Sequence, residues 1–343
     1  MSITASKPVT PPLAISSIVY AHWAFKALRS AIDLDLFGAV HEGAKNAASV
    51  AARLNFDPEG VALMLEVLVG LGLLKITEQR YALTDLAEVY LIRSSPLYMG
   101  NYLCGLQDSS DKTWQALGDC VRAGKPVSQL NERESAENFF PEQTAAIFPL
   151  SYTTAQMVAR NLNLDELPDG ARVLDLAAGS AVWSIPVVEE NQGVRVDALD
   201  FPRVLEVARQ FTRKYGVYKY YRFLAGDWRD LVLDSETYDV VFLGHILHFE
   251  GWSASERLLK KVHGAMKPKG RVVIAEFMPN EKRTGPLPAS LFALNVYAQT
   301  TKGCVFTIEE LSELLRSTNF AEINRLELPF YDNESPIVVA TRI

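Results

Sequence analysis

From residue 171 onward, short runs rich in β-branched and aromatic residues alternate with amphipathic stretches, and this alternation constrains the fold more than any other feature. Strands are expected at 171–176, 194–199, 221–225, 238–243, 270–277, 322–328 and 336–342, with helices between most of them. Cores such as YDVVFL (238–243) and RVVIAEF (271–277) are nearly continuous apolar runs, which suits strands covered on both faces. Strands alternating with helices predict an α/β fold with a doubly wound parallel sheet. The last two strands lie too close for a crossover helix and should form an antiparallel hairpin at one edge. Two helices are expected to open with capping boxes, Ser253 with Glu256 and Thr307 with Glu310.

Before residue 170 the periodicity is mostly helical. Over 15–37, Ile18, Ala21, Phe25, Leu28 and Ile32 form one apolar stripe. Helices follow at 47–54 and 58–71, the second opening with Asp57-Pro58 and expected to bury Val61, Met64, Leu65, Leu68 and Leu71. LLKITEQRYALT (73–84) reads as two strands joined through Glu78, Gln79 and Arg80, which completes the order of a winged helix. Residues 58–72 hold Glu59 and Glu66 but no Lys or Arg, and the chain's net charge is −7. A helix entering a DNA groove needs cations facing phosphates, so nucleic acid is not an expected partner and the module reads as one for packing and dimerisation.

The expected organisation is a tail over 1–14, a winged-helix-like dimerisation domain over 15–97, a helical connector over 98–165 that contributes to a substrate pocket, and a ligand-binding Rossmann-like domain over 166–343. MSITASKPVTPPLA (1–14) lacks the apolar stretch of a signal peptide. The longest apolar run, GVALMLEVLVGLGLL (60–74), carries Glu66 and is too short to span a bilayer. A cytoplasmic chain without a membrane partner is expected. Cys104, Cys120 and Cys304 share no metal or redox spacing.

ARVLDLAAGSAVWSI (171–185) reads as a strand, a small-residue turn and a helix, the arrangement that receives a nucleotide-like ligand beyond the carboxyl ends of a parallel sheet. Asp200 follows about 20 residues after Gly179, where a carboxylate accepts from ribose hydroxyls. A dinucleotide fingerprint would continue with glycines at 181 and 184, and Ala181 and Ser184 stand there instead. AGDWRD (225–230) favours S-adenosylmethionine: an Asp beside an aromatic ring accepts from an adenine amino group while the ring covers the base. The alternative for Trp228 is a core residue under a loop. His245 and His248 follow the fourth strand. Their spacing also suits a metal, but no third ligand lies close by in sequence, and no metal is expected. His245 reads otherwise as a hydrogen-bonded histidine packing the strand end, and His263 as solvent-facing. Glu276, at the end of an apolar strand, calls for a partner such as His248 or a backbone donor. PASLFALNVYAQTT (288–301), with the amide Asn295 embedded in it, and the aromatics Phe139, Phe148 and Tyr152 suggest an apolar acceptor pocket.

VLDLAAGSA, ALDFP, AGDWRD, GHILHFEGW and GRVVIAEFMP come in the order seen in O-methyltransferases of the plant and bacterial small-molecule type, and the chain resembles that family from about residue 15. The resemblance implies a seven-stranded S-adenosylmethionine-dependent methyltransferase domain behind a winged-helix dimerisation domain, and hence a homodimer. It places Asp175, Ala177 and Gly179 around the methionine end of the cofactor, Asp200 at the ribose, and Asp227 with Trp228 at the adenine. Phe201, Gly226 and His245 join the cofactor set. His248 falls on a general-base histidine and Glu276 on the carboxylate that orients it. The implied reaction methylates a hydroxyl of a small aromatic or polyketide-like metabolite and leaves S-adenosylhomocysteine. Alternatives are C- or N-methylation, a non-methylating reaction, or a binding protein that has lost the cofactor. Three positions depart from the family: Ala181 for the loop's last glycine, Phe249 for the Asp after the histidine, and Val305 for a second acidic partner. Ala181 is expected to keep a negative φ, with its methyl turned from the ligand.

Overall fold

A computed structural model describes residues 12–328 and 335–343, with backbone alone at 106–110. The chain divides into two compact units, 1–105 and 106–343, so the expected 98–165 connector falls largely in the second. The expected tail lies almost entirely outside the described residues, and its last two residues already belong to the first helix.

In the first unit, α1 (Leu13–Asp33), α2 (Leu36–His41), α3 (Ala47–Leu54) and α4 (Pro58–Gly70) precede a hairpin of β1 (Leu74–Thr77) and β2 (Arg80–Leu83), then α5 (Asp85–Tyr90). The side chain of Asp57 caps α4 by accepting from Gly60 N–H at 2.7 Å. The hairpin turn is only Glu78-Gln79, both left-handed, as a two-residue type I′ turn requires. The expected single helix over 15–37 is two, because Asp35 takes a left-handed conformation between α1 and α2. Its stripe is only partly buried: Ile32 joins the core, whereas Ile18 is 72% exposed. Leu71, expected inside, is also exposed, since α4 ends at Gly70 and the chain turns. The core is built by Leu36, Phe37, Val50, Leu65, Leu68 and Leu74 among others.

The second unit begins with α6 (Gln107–Gln115), α7 (Leu117–Ala123) and the long α8 (Arg133–Asn161). A seven-stranded sheet follows: β3 (Arg172–Leu176), α9 (Ile185–Glu190), β4 (Arg195–Asp200), α10 (Pro202–Lys214), β5 (Tyr221–Ala225), β6 (Tyr238–Gly244), α11 (Leu247–Ala265), β7 (Met266–Ala275), α12 (Leu287–Gln299), α13 (Ile308–Ser317), β8 (Phe320–Leu326) and β9 (Ile337–Arg342). The order is β5-β4-β3-β6-β7-β9-β8, and only β9 runs antiparallel to its neighbours. The terminal hairpin is therefore present, with its second strand inserted against β7. Thr307 and Glu310 form the expected capping box of α13. Ser253 caps nothing: α11 starts earlier, at Leu247, and is broken at Gly251 (φ 70°), where a Cβ would meet the carbonyl of Lys302 at 2.0 Å. His263 is half-buried, its ring edge-on to Phe320, rather than solvent-facing.

The strand order reverses between β3 and β6, and in open α/β sheets the crevice at such a switch point receives the ligand. Register aligns the carboxyl ends there: Leu176 pairs Leu199 and Leu243, and Gly244 pairs Ala275.

Candidate active site

The loop after β3 is shaped by three alternate left-handed residues, Ala177 (φ 56°), Gly179 (φ 57°) and Ala181 (φ 61°). Ala181 thus departs from the expected negative φ. It follows the path a glycine would give, at a cost of about 1–2 kcal/mol for each alanine so held. Gly179 is needed twice over, since a Cβ there would also lie 3.0 Å from Thr144 Cγ2 on α8. Three hydrogen bonds hold the loop: Ala178 N–H to Leu199 O (3.1 Å), Ala181 N–H to Ala178 O (2.7 Å), and Gly179 N–H to Asp200 Oδ2 (2.8 Å).

Asp200 ends β4, and its other oxygen accepts from Phe201 N–H at 2.7 Å. Burial pushes its carboxyl up to about 6. Asp175, the fourth residue of β3, is buried. Its Oδ2 accepts from Ser184 Oγ at 2.5 Å while Oδ1 has no partner, and burial pushes it up to about 7. Tyr221 extends the chain by donating to Ser184 Oγ at 3.0 Å. Ser184, notable in sequence only as a missing glycine, thus holds the carboxylate at the loop's base.

Beyond β5, Gly226 has φ 155° and Asp227 is buried, accepting from Arg229 N–H at 2.9 Å. Trp228 packs in the core with Leu176, Leu199 and Leu247, and its indole N–H donates to Glu250 Oε1 at 2.9 Å. That is the packing of a core residue under a loop.

His248 and Glu276 meet as the sequence suggested, with Nδ1 2.6 Å from Oε2 and both residues buried. Glu276 Oε1 accepts from Leu247 N–H (2.7 Å) and His248 N–H (3.4 Å) at the start of α11, where the helix dipole also favours a carboxylate. His248 Nε2 is buried without a partner. Rings enclose it: Phe249 at 4.2 Å and Phe292 at 4.7 Å between centroids, with Phe277 stacked on Phe292 and Phe140 edge-on to Phe249. Phe139 touches Phe140 in turn. Phe249 therefore supplies a ring where the family's usual pattern has a second carboxylate, and Val305 is buried. His245, left-handed at φ 60°, lies next to His248 with its Nδ1 buried and unpartnered; burial lowers it to about 4 and keeps the ring neutral. Although sequence offered no third ligand, the fold brings ligand atoms of His245, His248 and Glu276 within 4.8 Å of one another.

Two expected pocket residues are elsewhere. Phe148 and Tyr152 stack with Phe211 and Tyr215, and the Tyr152 hydroxyl donates to Glu189. They belong to the packing of α8 on α9 and α10, whereas Phe140 nearer the start of α8 reaches Phe249. Asn295 lies one turn beyond Phe292 on α12, with its side-chain oxygen accepting from Gln299 Nε2 at 3.3 Å. No spacing points to Phe277, Phe292 or Trp183, although Phe292 lies within the apolar segment 288–301 and Phe277 directly follows Glu276.

The fold, the loop and the His-Glu pair together define an S-adenosylmethionine-dependent methyltransferase. The chain belongs to the O-methyltransferase family: the O-methyltransferase domain matches residues 114–321 and the O-methyltransferase dimerisation domain residues 16–93. It is 26% identical to a 3-hydroxy-5-methyl-1-naphthoate 3-O-methyltransferase of Streptomyces sahachiroi, over 91% of this chain and 90% of that protein. It is 24% identical to the tetracenomycin polyketide synthesis 8-O-methyl transferase of Streptomyces glaucescens, over 94% and 95%. Human N-acetylserotonin methyltransferase, solved in complex with S-adenosylmethionine, shares the fold with a TM-score of 0.81 at 23% identity, covering 98% of this chain and 99% of that one. Among the described residues no helix is long and apolar enough to cross a membrane. The residues at the switch point fit the cofactor: a left-handed loop that opens backbone toward the crevice, an unpartnered Asp175 oxygen, and Asp200 at the end of β4.

Proposed function

We propose that this protein methylates a hydroxyl group of a small, planar aromatic or polyketide-like metabolite, with His248 as general base, and that it works as a homodimer through its dimerisation domain. The carrying observation is the buried His248–Glu276 pair, whose free Nε2 lies among phenylalanine rings. Glu276 accepts a hydrogen bond from Nδ1–H, which leaves the lone pair on Nε2 and stabilises the ring once it is charged. An ordinary phenol has a pKa of about 10, so it arrives protonated and Nε2 takes the proton as the oxygen is methylated. Such help is worth about 10²–10⁴ in rate. When bound, S-adenosylmethionine supplies an electrophilic methyl on a sulfonium. Asp175, Ala177 and Gly179 would receive its methionine end, Asp200 its ribose, and Asp227 its adenine. The rings of Phe249 and Phe292 orient a flat acceptor and exclude water. The naphthoate and tetracenomycin substrates named for two relatives support an acceptor of this class.

The test is incubation with the cofactor and a panel of hydroxynaphthoates and polycyclic phenols. The expected product is heavier by one methylene, with the methyl located on oxygen. A product methylated on carbon or nitrogen would overturn the reading.

A further inference from the structure

Trp183 lines the crevice but has no task in the reaction as described so far. It lies two residues beyond Ala181, on the turn that leads into α9, and is 5% exposed. Its ring stands over Gly244, the last residue of β6. A Cβ on Gly244 would come within 2.1 Å of the indole Nε1 and 2.3 Å of Cδ1. Gly244 is not among the left-handed residues, so its backbone does not require glycine. What the position requires is space, and the indole fills that space. The ring centroid is 6.0 Å from that of His245, which is 6.3 Å from that of His248. The indole therefore stands at the switch point between β3 and β6, with the left-handed loop on one side and the two histidines on the other.

An aromatic face attracts a cation through its quadrupole, tryptophan most strongly, and more so where water is excluded. The methyl donor carries a positive charge on sulfur, and its product is a neutral thioether. We propose that Trp183 is the residue that tells the two apart: its indole face lies against the sulfonium, and Gly244 is kept bare so that the ring can stand there. This rests on the cofactor site described above. On transfer the methyl goes to the acceptor oxygen, the oxygen's proton goes to His248, and the sulfur keeps the electron pair of the broken bond. The contact with Trp183 weakens at that moment, which favours release of the product.

The experiment is calorimetric titration of the full chain with S-adenosylmethionine and with S-adenosylhomocysteine, for wild type, Trp183→Leu, Trp183→Phe and Gly244→Ala. Trp183→Leu is expected to weaken the charged ligand about tenfold more than the neutral one. Trp183→Phe is expected to shift the ratio by about threefold, phenyl being the weaker ring. Gly244→Ala, which displaces the indole, should move the ratio in the same direction as Trp183→Leu. The ratio carries the test, because a variant that only loosens the site weakens both ligands together. An unchanged ratio in Trp183→Leu overturns the proposal. Should that variant not fold, an unchanged ratio in Trp183→Phe overturns it equally. A wild type that binds neither ligand would overturn the cofactor site itself, a result distinct from wild-type binding whose ratio survives the substitutions.

Discussion

Glu276 grips the ring of His248 and the backbone that carries it at the same time: Oε2 stands 2.6 Å from Nδ1, while Oε1 accepts from the N–H groups of Leu247 and His248. One carboxylate thus holds both the ring and the backbone of His248. Phe249 occupies the following position, with its ring centroid 4.2 Å from that of His248.

Glu276→Gln is expected to lower kcat by at least about tenfold, since an amide can present its NH₂ to Nδ1 and put the ring proton on Nε2. His248→Ala should do the same, and the double variant should be no worse than the poorer single one. Calorimetric affinity for S-adenosylmethionine should stay within about threefold of wild type. Turnover of Glu276→Gln equal to wild type would show that alignment alone drives transfer.

Ala181→Gly removes a left-handed alanine at φ 61°. Relief of strain outweighs the added freedom of the unfolded chain, so a gain of up to about 1 kcal/mol is expected. The urea midpoint of the ligand-free protein reads it. A loss of stability would mean that the buried alanine methyl contributes more packing than strain.

Burial raises Asp175 to about 7. A carboxyl raised in this way favours the folded state fully below its unfolded value of about 4, and that contribution is lost as pH rises through 7. Asp175→Asn has no charge to bury, so its unfolding midpoint should exceed that of wild type at pH 8 and lose the advantage toward pH 5. A difference that does not vary with pH would show that the carboxyl ionises alike in the folded and unfolded chain, so that burial does not raise it.

Thr307 accepts from Glu310 N–H at 3.1 Å, and Glu310 returns to Thr307 N–H at 2.8 Å. Thr307→Ala should cost about 1 kcal/mol in thermal or urea unfolding, with Thr307→Ser nearly neutral. Equal effects of the two would remove the hydroxyl from the explanation.

The strands were legible because a strand covered on both faces has few polar positions, and their carboxyl ends led directly to Asp175, Asp200, His248 and Glu276. Where turn chemistry misled, the cause is local. The strand expected from residue 270 already begins at Met266. Gly251 permits a left-handed break because Lys302 comes close to it, and no spacing announces an approach from so far along the chain. In α8, aromatic spacing is the same at both ends, but Phe140 reaches Phe249 whereas Phe148 and Tyr152 meet α10 and the residue that follows it, Tyr215. Which turn of a long helix meets which layer is decided by tertiary packing. Trp183 was hidden for a simpler reason: its importance lies in the glycine opposite it.

The insertion of β9 between β7 and β8 also ties the site to the far part of the chain. As the chain is synthesised, β7 emerges with one edge open, and the strand that closes it comes after every other element. Ile337 pairs Ala275, and Pro336 accepts from the N–H of Glu276 itself. The backbone that carries the carboxylate facing His248 is therefore held in part by a strand from far along the chain.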